Sequence, residues 1–430
     1  MRYWLSLVWF FCGVSYAQLD IQSWQTPEGA KVLFVQTQGL PMLDIALNFD
    51  AASSRDGNQH GLGSLTNALI GTETAYQSEE QIIQTFESLG VEFSTHSLKD
   101  MSIISLRSLT RPEILNRAIS LFSEVIAKPK FTQANLTREK KQTLRALAAA
   151  KQSPGDVAAL AFAQSVFASH PYAHNKLGDE HSLSGITLTD LKRHYQRYYV
   201  AKNLTIALVG GISTAKAKQI ARQISHGLNI GEQAPAHPMV QPLTQASAQH
   251  IEFPSTQTHL LIGQVGINRS HPDYYALYLG NHLLGGSGLN SILSREIRED
   301  KGLAYSTSSY FTKMKAHGYF LMKLQTKNTQ ANQAKTIALN TLDDFIKRPI
   351  SAVELQDAKD NIIGGFALEI ASNANILTYL SIIGFYGLPL DYLSSFTQHI
   401  ENIDETQLQQ AFNRLIDTNK LAIISVGQAQ

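Results

Sequence analysis

The amino-acid sequence is one unit written twice, and no local pattern limits its architecture as strongly. "ITLTDLKRHYQRYYVAKNLTIALVGG" starts at Ile186 and "IDETQLQQAFNRLIDTNKLAIISVGQ" at Ile403, an offset of 217 residues (403 minus 186). At that offset Leu191 meets Leu408, Tyr195 meets Phe412, Arg197 meets Arg414, Val209 meets Val426 and Gly210 meets Gly427. A second pair, "GVEFST" from Gly90 and "GLAYST" from Gly302, lies 212 residues apart (302 minus 90). Two matches in the same order at nearly one spacing mark a tandem duplication. Each copy opens on alternating strands, "KVLFVQ" and "LDIALNF" in the first and "THLLIGQVG" in the second. Long helical patterns follow, such as Thr137 to Lys151 and Ala352 to Glu369, and each copy closes with a helix and a strand. The expected class is α+β: two homologous tandem α/β domains, each a sheet with packed helices. They occupy residues 18–230 and 251–430. Gly231 to His250 is the expected linker, because Pro235, Pro238 and Pro242 stand there among Ala, Gln and Ser without periodicity.

The 430 residues suffice for two domains with sizeable cores. A net charge of +1 provides no long-range field for nucleic acid or an anionic membrane. Arg2, the apolar run "YWLSLVWFFCGV" and small residues around Ser15-Tyr16-Ala17 read as a secretory signal peptide over residues 1–17. The run is short for a membrane span, and bulky Phe11 before Cys12 argues against a lipid anchor. Cys12 is the one cysteine, so the mature chain is expected to lack disulfides and thiol chemistry, to be exported to the periplasm and to be soluble, without membrane insertion.

The segment "HGLGSLTNALIGT", from His60, follows "DAASSRDG" and has the look of a catalytic helix without its chemistry. Leu62, Leu65 and Leu69 have the spacing of a buried helix face, and Ser64, Asn67 and Ala68 fall on the expected exposed steps. His170 and His174 have four-residue spacing, but Pro171 argues against a helix that would align them. His60 and His96 read as lone structural histidines. "GGSG" at Gly285 to Gly288 reads as a backbone turn, since no Lys-Ser or Lys-Thr follows it.

With its duplication and the landmarks "SSRDGNQHGLG", "HPYAHNKLGDEHSLSGITLTDLKRHYQRYY" and "LLGGSGLNSILSREIREDKGLAYS", the chain resembles the pitrilysin-type, or inverzincin, metallopeptidases over essentially its whole mature length. The resemblance implies half of a peptidase clamshell. It also implies a zinc motif, His-x-x-Glu-His, with a further glutamate downstream. Here the motif positions are Ser64, Asn67 and Ala68. The downstream position is Ala146, in "KKQTLRALAAAKQ", which has no acid from Lys140 through Lys151. Serine and asparagine are poor zinc ligands, alanine is none, and an amide is no general base. No metal or other cofactor is expected on this chain.

The second copy carries "IREDKGLAY", with Arg298 and Tyr305 seven residues apart. The resemblance implies that such a pair binds the substrate backbone and stabilises the oxyanion. The alternative is a surface arginine and a core tyrosine, and Phe93, the first copy's equivalent of Tyr305, points to packing. Some bacterial members divide the zinc motif and the arginine-tyrosine pair between two subunits. The expectation is an accessory subunit inactive alone, with peptide substrates and a homologous exported partner that carries His-x-x-Glu-His and the zinc. A non-enzymatic peptide-binding or scaffold protein is the competing reading.

Overall fold

A computed structural model describes residues 19–429. The segment read as a signal peptide, with Cys12, lies outside the described residues. The first sheet contains β1 (Gln22–Gln25), β2 (Lys31–Gln36), β3 (Met42–Asp50), β4 (Glu92–Ser97), β5 (Met101–Leu109) and β6 (Leu204–Gly210). The second contains β7 (Ser247–Glu252), β8 (Gln257–Val265), β9 (Ala304–Thr312), β10 (Tyr319–Lys327) and β11 (Ala422–Gly427). The spatial orders are β1-β2-β6-β3-β5-β4 and β7-β11-β8-β10-β9. Leaving β1 aside, the two orders are the same, and each sheet has its single parallel pairing in the same place, β2 with β6 and β7 with β11. The duplication read from the sequence is therefore a duplication of topology. The segment read as a linker has no regular structure as far as residue 246, but Ser247–His250 already belong to β7.

The halves are joined by an exchange of equivalent helices. Pro154–Phe167 packs on β8 and β11 of the second sheet, while Asn373–Tyr386 packs on β2, β3 and β6 of the first. Each starts from a serine cap: Ser153 accepts from the Asp156 amide and Ser372 from the Asn375 amide. Both are largely apolar in sequence, which suits a helix that crosses to the sheet of the other half. A Cβ on Gly384 would lie 2.4 Å from Thr205 and 2.7 Å from Leu33, so glycine sets how closely the second helix sits on the first sheet. Asn48 Nδ2 donates to Ser381 Oγ across this contact at 3.1 Å. Leu33, Val35, Ala207 and Val209 share one core with Ile376, Leu380 and Ile383.

A buried ionic cluster closes the other side of the junction. Asp50 accepts from Arg55 at 2.6 and 2.7 Å and from Lys315 Nζ, on the β9–β10 hairpin, at 2.5 Å. Asp100 Oδ2 accepts from the Lys315 amide at 2.8 Å. His237, in the middle of the linker, is buried with Nε2 3.6 Å from Asp100 Oδ1, and burial pushes its imidazole down to about 4. The linker is thus anchored between the halves. No single helix among the described residues is long and apolar enough to cross a membrane.

Candidate functional site

The loop before the first-copy helix is shaped by Asp56. Its carboxylate accepts from the Gly61 amide at 2.6 Å and the Gly63 amide at 2.7 Å, so it serves the free donors at the start of helix Leu62–Leu69. Gly61, at φ 96°, makes the left-handed turn that brings these amides round. Leu62, Leu65 and Leu69 are buried, as their spacing predicts.

The polar positions of this helix depart from expectation. Ser64 and Asn67 are 8% and 1% exposed, and only Ala68 is partly open. Ser64 Oγ donates to the Lys176 carbonyl at 2.7 Å. Asn67 Nδ2 donates to the His96 carbonyl at 2.9 Å, and its Oδ1 accepts from the Tyr199 hydroxyl at 3.1 Å. The helix face that seemed exposed is covered by β4 and β5, which pack against it. At the position where the resemblance implies a general base, this chain has an amide hydrogen-bonded on both sides as a structural cross-link. Ala146 lies exposed on helix Gln133–Ala150, which packs against the same helix. A hydroxyl, a carboxamide and two methyl groups supply none of the imidazole or carboxylate donors that zinc takes in such a site, so the residues present do not fit the family's zinc. Among the described residues no group of three or more His, Cys, Asp or Glu side chains could hold a metal ion.

The histidines are structural too. The His60 and His174 rings stack at 4.1 Å, and His174 Nε2 lies 3.1 Å from the Ser53 carbonyl and 3.3 Å from Asp56. His170 is directed elsewhere, its Nε2 3.1 Å from the Pro238 carbonyl of the linker. His96 serves the first-copy helix through its backbone carbonyl. The "GGSG" segment is a turn: Gly288 has φ 66°, and a Cβ on Gly285 would meet the Ser309 amide at 2.5 Å.

In the second copy, Arg298 lies in a widened π-helical turn, Ser294–Glu299, that leads into β9. Such turns recur at functional positions. Arg298 and Tyr305 are both exposed, Tyr305 to 80%, with the guanidinium 6.0 Å from the centre of the phenol ring. Among the described residues neither group has a hydrogen-bond or ion-pair partner, so the donors of both remain free. The packing role inferred from Phe93 does not transfer. Phe93 stacks on Phe86 at 5.3 Å and meets Phe122 edge-on at 6.2 Å, whereas Tyr305 has no place in the core. The difference lies in the backbone. Phe93 pairs in register with Leu106, but across β9 and β10 the register shifts, Ser306 facing Gln325 and Ala304 facing Thr326. Tyr305 is the extra residue of a β-bulge, a device that re-aims a side chain. Among the described residues no hydrogen bond or ion pair links Arg298 or Tyr305 to Ser64, Asn67, Ala68 or Ala146. The two motif sets belong to separate regions of this chain.

Sequence reasoning missed a third set. Lys99, Arg269 and Lys313 line one cavity of about 750 Å³ between the halves. They come from three distant segments with no common motif.

Comparisons with known proteins agree with this architecture. Residues 31–180 match the family described as Insulinase (Peptidase family M16), and residues 185–362 match the Peptidase M16 inactive domain. A crystal structure of a peptidase M16 inactive domain from Pseudomonas fluorescens is 40% identical, with a TM-score of 0.93, over 96% of this chain and 98% of that one. The Helicobacter pylori protein named non-peptidase homolog YmxG is 28% identical over 92% of this chain and 91% of its own length. The crystal structure of a protease from Helicobacter pylori, 18% identical with a TM-score of 0.86 over 95% of this chain and 99% of that one, shares the fold. Duplicated topology, exchanged helices and matches along both halves lead to one assignment: the chain belongs to peptidase family M16.

Proposed function

We propose that this chain is a non-peptidase member of the family that acts as the zinc-free, exported subunit of a heterodimeric periplasmic metallopeptidase. A homologous subunit carrying His-x-x-Glu-His would hold the zinc and be the partner, and peptides would be the substrates. The observation that carries this reading is the exposed Arg298–Tyr305 pair, 6.0 Å apart, whose side-chain donors have no partner among the described residues. Leaving a tyrosine 80% exposed on a bulged edge strand gains little for stability. It gains much if the hydroxyl meets something outside. A rigid guanidinium fork and a phenol O–H are both suited to an oxygen on which negative charge develops as a peptide carbonyl becomes tetrahedral.

Two further facts support the reading. The first-copy helix is hydrogen-bonded into the fold by Ser64 and Asn67, so its retention needs no catalytic reason. The Helicobacter pylori relative is itself named a non-peptidase homolog. The test is reconstitution with an exported homologue that carries the zinc motif. Peptide hydrolysis should appear in the mixture and be absent from each chain alone. A partner fully active by itself would favour the scaffold reading.

A further inference from the structure

The interdomain cavity combines apolar walls with cations that have no ion-pair partner among the described residues. Its floor is the first sheet at Ile103, and its sides include Phe167, Phe311, Leu377 and Ile382 from both halves. Three cations line it. The Lys99 ammonium donates to the His174 carbonyl, and burial pushes its pKa down to about 8. Arg269 lies 4.8 Å from the centre of the Tyr386 ring, and its Nε is buried without a hydrogen-bond partner. Lys313 Nζ lies 4.9 Å from the Tyr274 ring centre and 5.5 Å from that of Tyr278, and burial holds its pKa below the usual lysine range.

None of the three is within ion-pair distance of a carboxylate among the described residues. Other charges of the two halves are paired, Asp50 with Arg55 and Lys315, and Asp44 with Arg107. Lys31, also at the junction, has no carboxylate partner among the described residues but donates to the Gly384 carbonyl at 3.3 Å, whereas the Arg269 Nε has no hydrogen-bond partner among them. Three carboxylates are nearby, and the first, Asp56, acts on Lys99 from beyond ion-pair distance while it accepts from the Gly61 and Gly63 amides. Asp100 lines the cavity, but it accepts from the Lys315 amide, and burial raises its pKa, which weakens its charge. Glu369 lines an adjoining cleft of about 280 Å³ that shares Arg269 and Lys313; it is exposed and accepts from the Tyr379 hydroxyl at 3.5 Å.

Half-buried cations without an ion-pair partner are incompletely compensated, and aromatic faces recover only part of the lost hydration. An anion placed between Arg269 and Lys313 would recover the rest through charge-assisted hydrogen bonds. A volume of about 750 Å³ is in the range of small-molecule sites, and the apolar walls call for an apolar body. We propose that this cavity binds an anionic amphiphile, with an acidic head group between Arg269 and Lys313 and an aliphatic tail along Ile103, Phe167, Leu377 and Ile382.

The test is calorimetric titration of the mature chain with dodecanoate, dodecyl phosphate, dodecanol and inorganic phosphate, each below its micelle concentration. The two acids should bind saturably at one site per chain, roughly tenfold or more tighter than dodecanol or inorganic phosphate. The tighter of the two identifies carboxylate or phosphate as the natural head group. Arg269→Gln with Lys313→Met should remove that preference. Ala163→Leu, which keeps both cations and fills the tail space, should weaken both acids and serves if the double variant does not fold. Dodecanol binding as well as the acids, no saturable binding of either acid, or an unchanged affinity in both variants would overturn the proposal.

Discussion

Phe93 and Tyr305 occupy the same place in the two copies, at the start of an edge strand after a glycine turn, and behave in opposite ways. Phe93 is held in register against Leu106 and stacked on Phe86, so its half-buried ring packs against the core. Tyr305 is bulged out of its ladder, 80% exposed, beside an arginine that is also exposed. The polar residues of the two copies show the same inversion. Asn67 and Ser64 have their hydrogen bonds satisfied inside the protein, while the side-chain donors of Arg298 and Tyr305 have no partner among the described residues. Duplication gave one chain two copies of a framework. In one the polar residues are part of the structure, and in the other a polar pair stands at the surface.

The comparison breaks if first-copy substitutions leave stability untouched or second-copy ones reduce it. The largest effect is expected from grafting the zinc set, Ser64→His, Asn67→Glu, Ala68→His and Ala146→Glu. A glutamate at 67 would direct a buried carboxylate at the His96 and Ile103 carbonyls. The graft should cost about 4 kcal/mol or more by urea denaturation, and zinc titration should show no stoichiometric binding; tight zinc binding in a stable fold would contradict the reading of this helix. Phe93→Ala comes next, at about 3 kcal/mol, because it empties a site among packed rings. Asn67→Ala should cost about 2 kcal/mol by leaving the His96 carbonyl and Tyr199 hydroxyl unpaired in the interior. The smallest effect belongs to Tyr305→Ala, about 0.5 kcal/mol or less, as for an exposed side chain without partners. A loss there as large as that of Phe93→Ala would return Tyr305 to the core.

The framework was legible because it is written in local and repeated signals. The Leu62-Leu65-Leu69 face, the alternating strands and the repeat offset survive in any context. The burial of Asn67 was not legible, since the carbonyls that take its amide come from β4 and β5, far along the chain. Nor was the bulge at Tyr305: "GLAYST" and "GVEFST" differ too little to announce that one strand keeps register and the other loses it. The cavity cations were hidden for a third reason. Lys99, Arg269 and Lys313 meet only when the halves close, and each alone reads as an ordinary surface charge.

The central claim, that Tyr305 is retained for its hydroxyl and works outside this chain, is tested most directly by steady-state kinetics of the reconstituted complex with Tyr305→Phe. The substitution removes one oxygen and recreates the first copy's phenyl ring, so urea midpoint and complex formation should match the wild type. Turnover should fall roughly a hundredfold, the scale for losing one donor to a developing oxyanion. Unchanged turnover in a normally assembled complex would contradict the claim and leave this chain a scaffold.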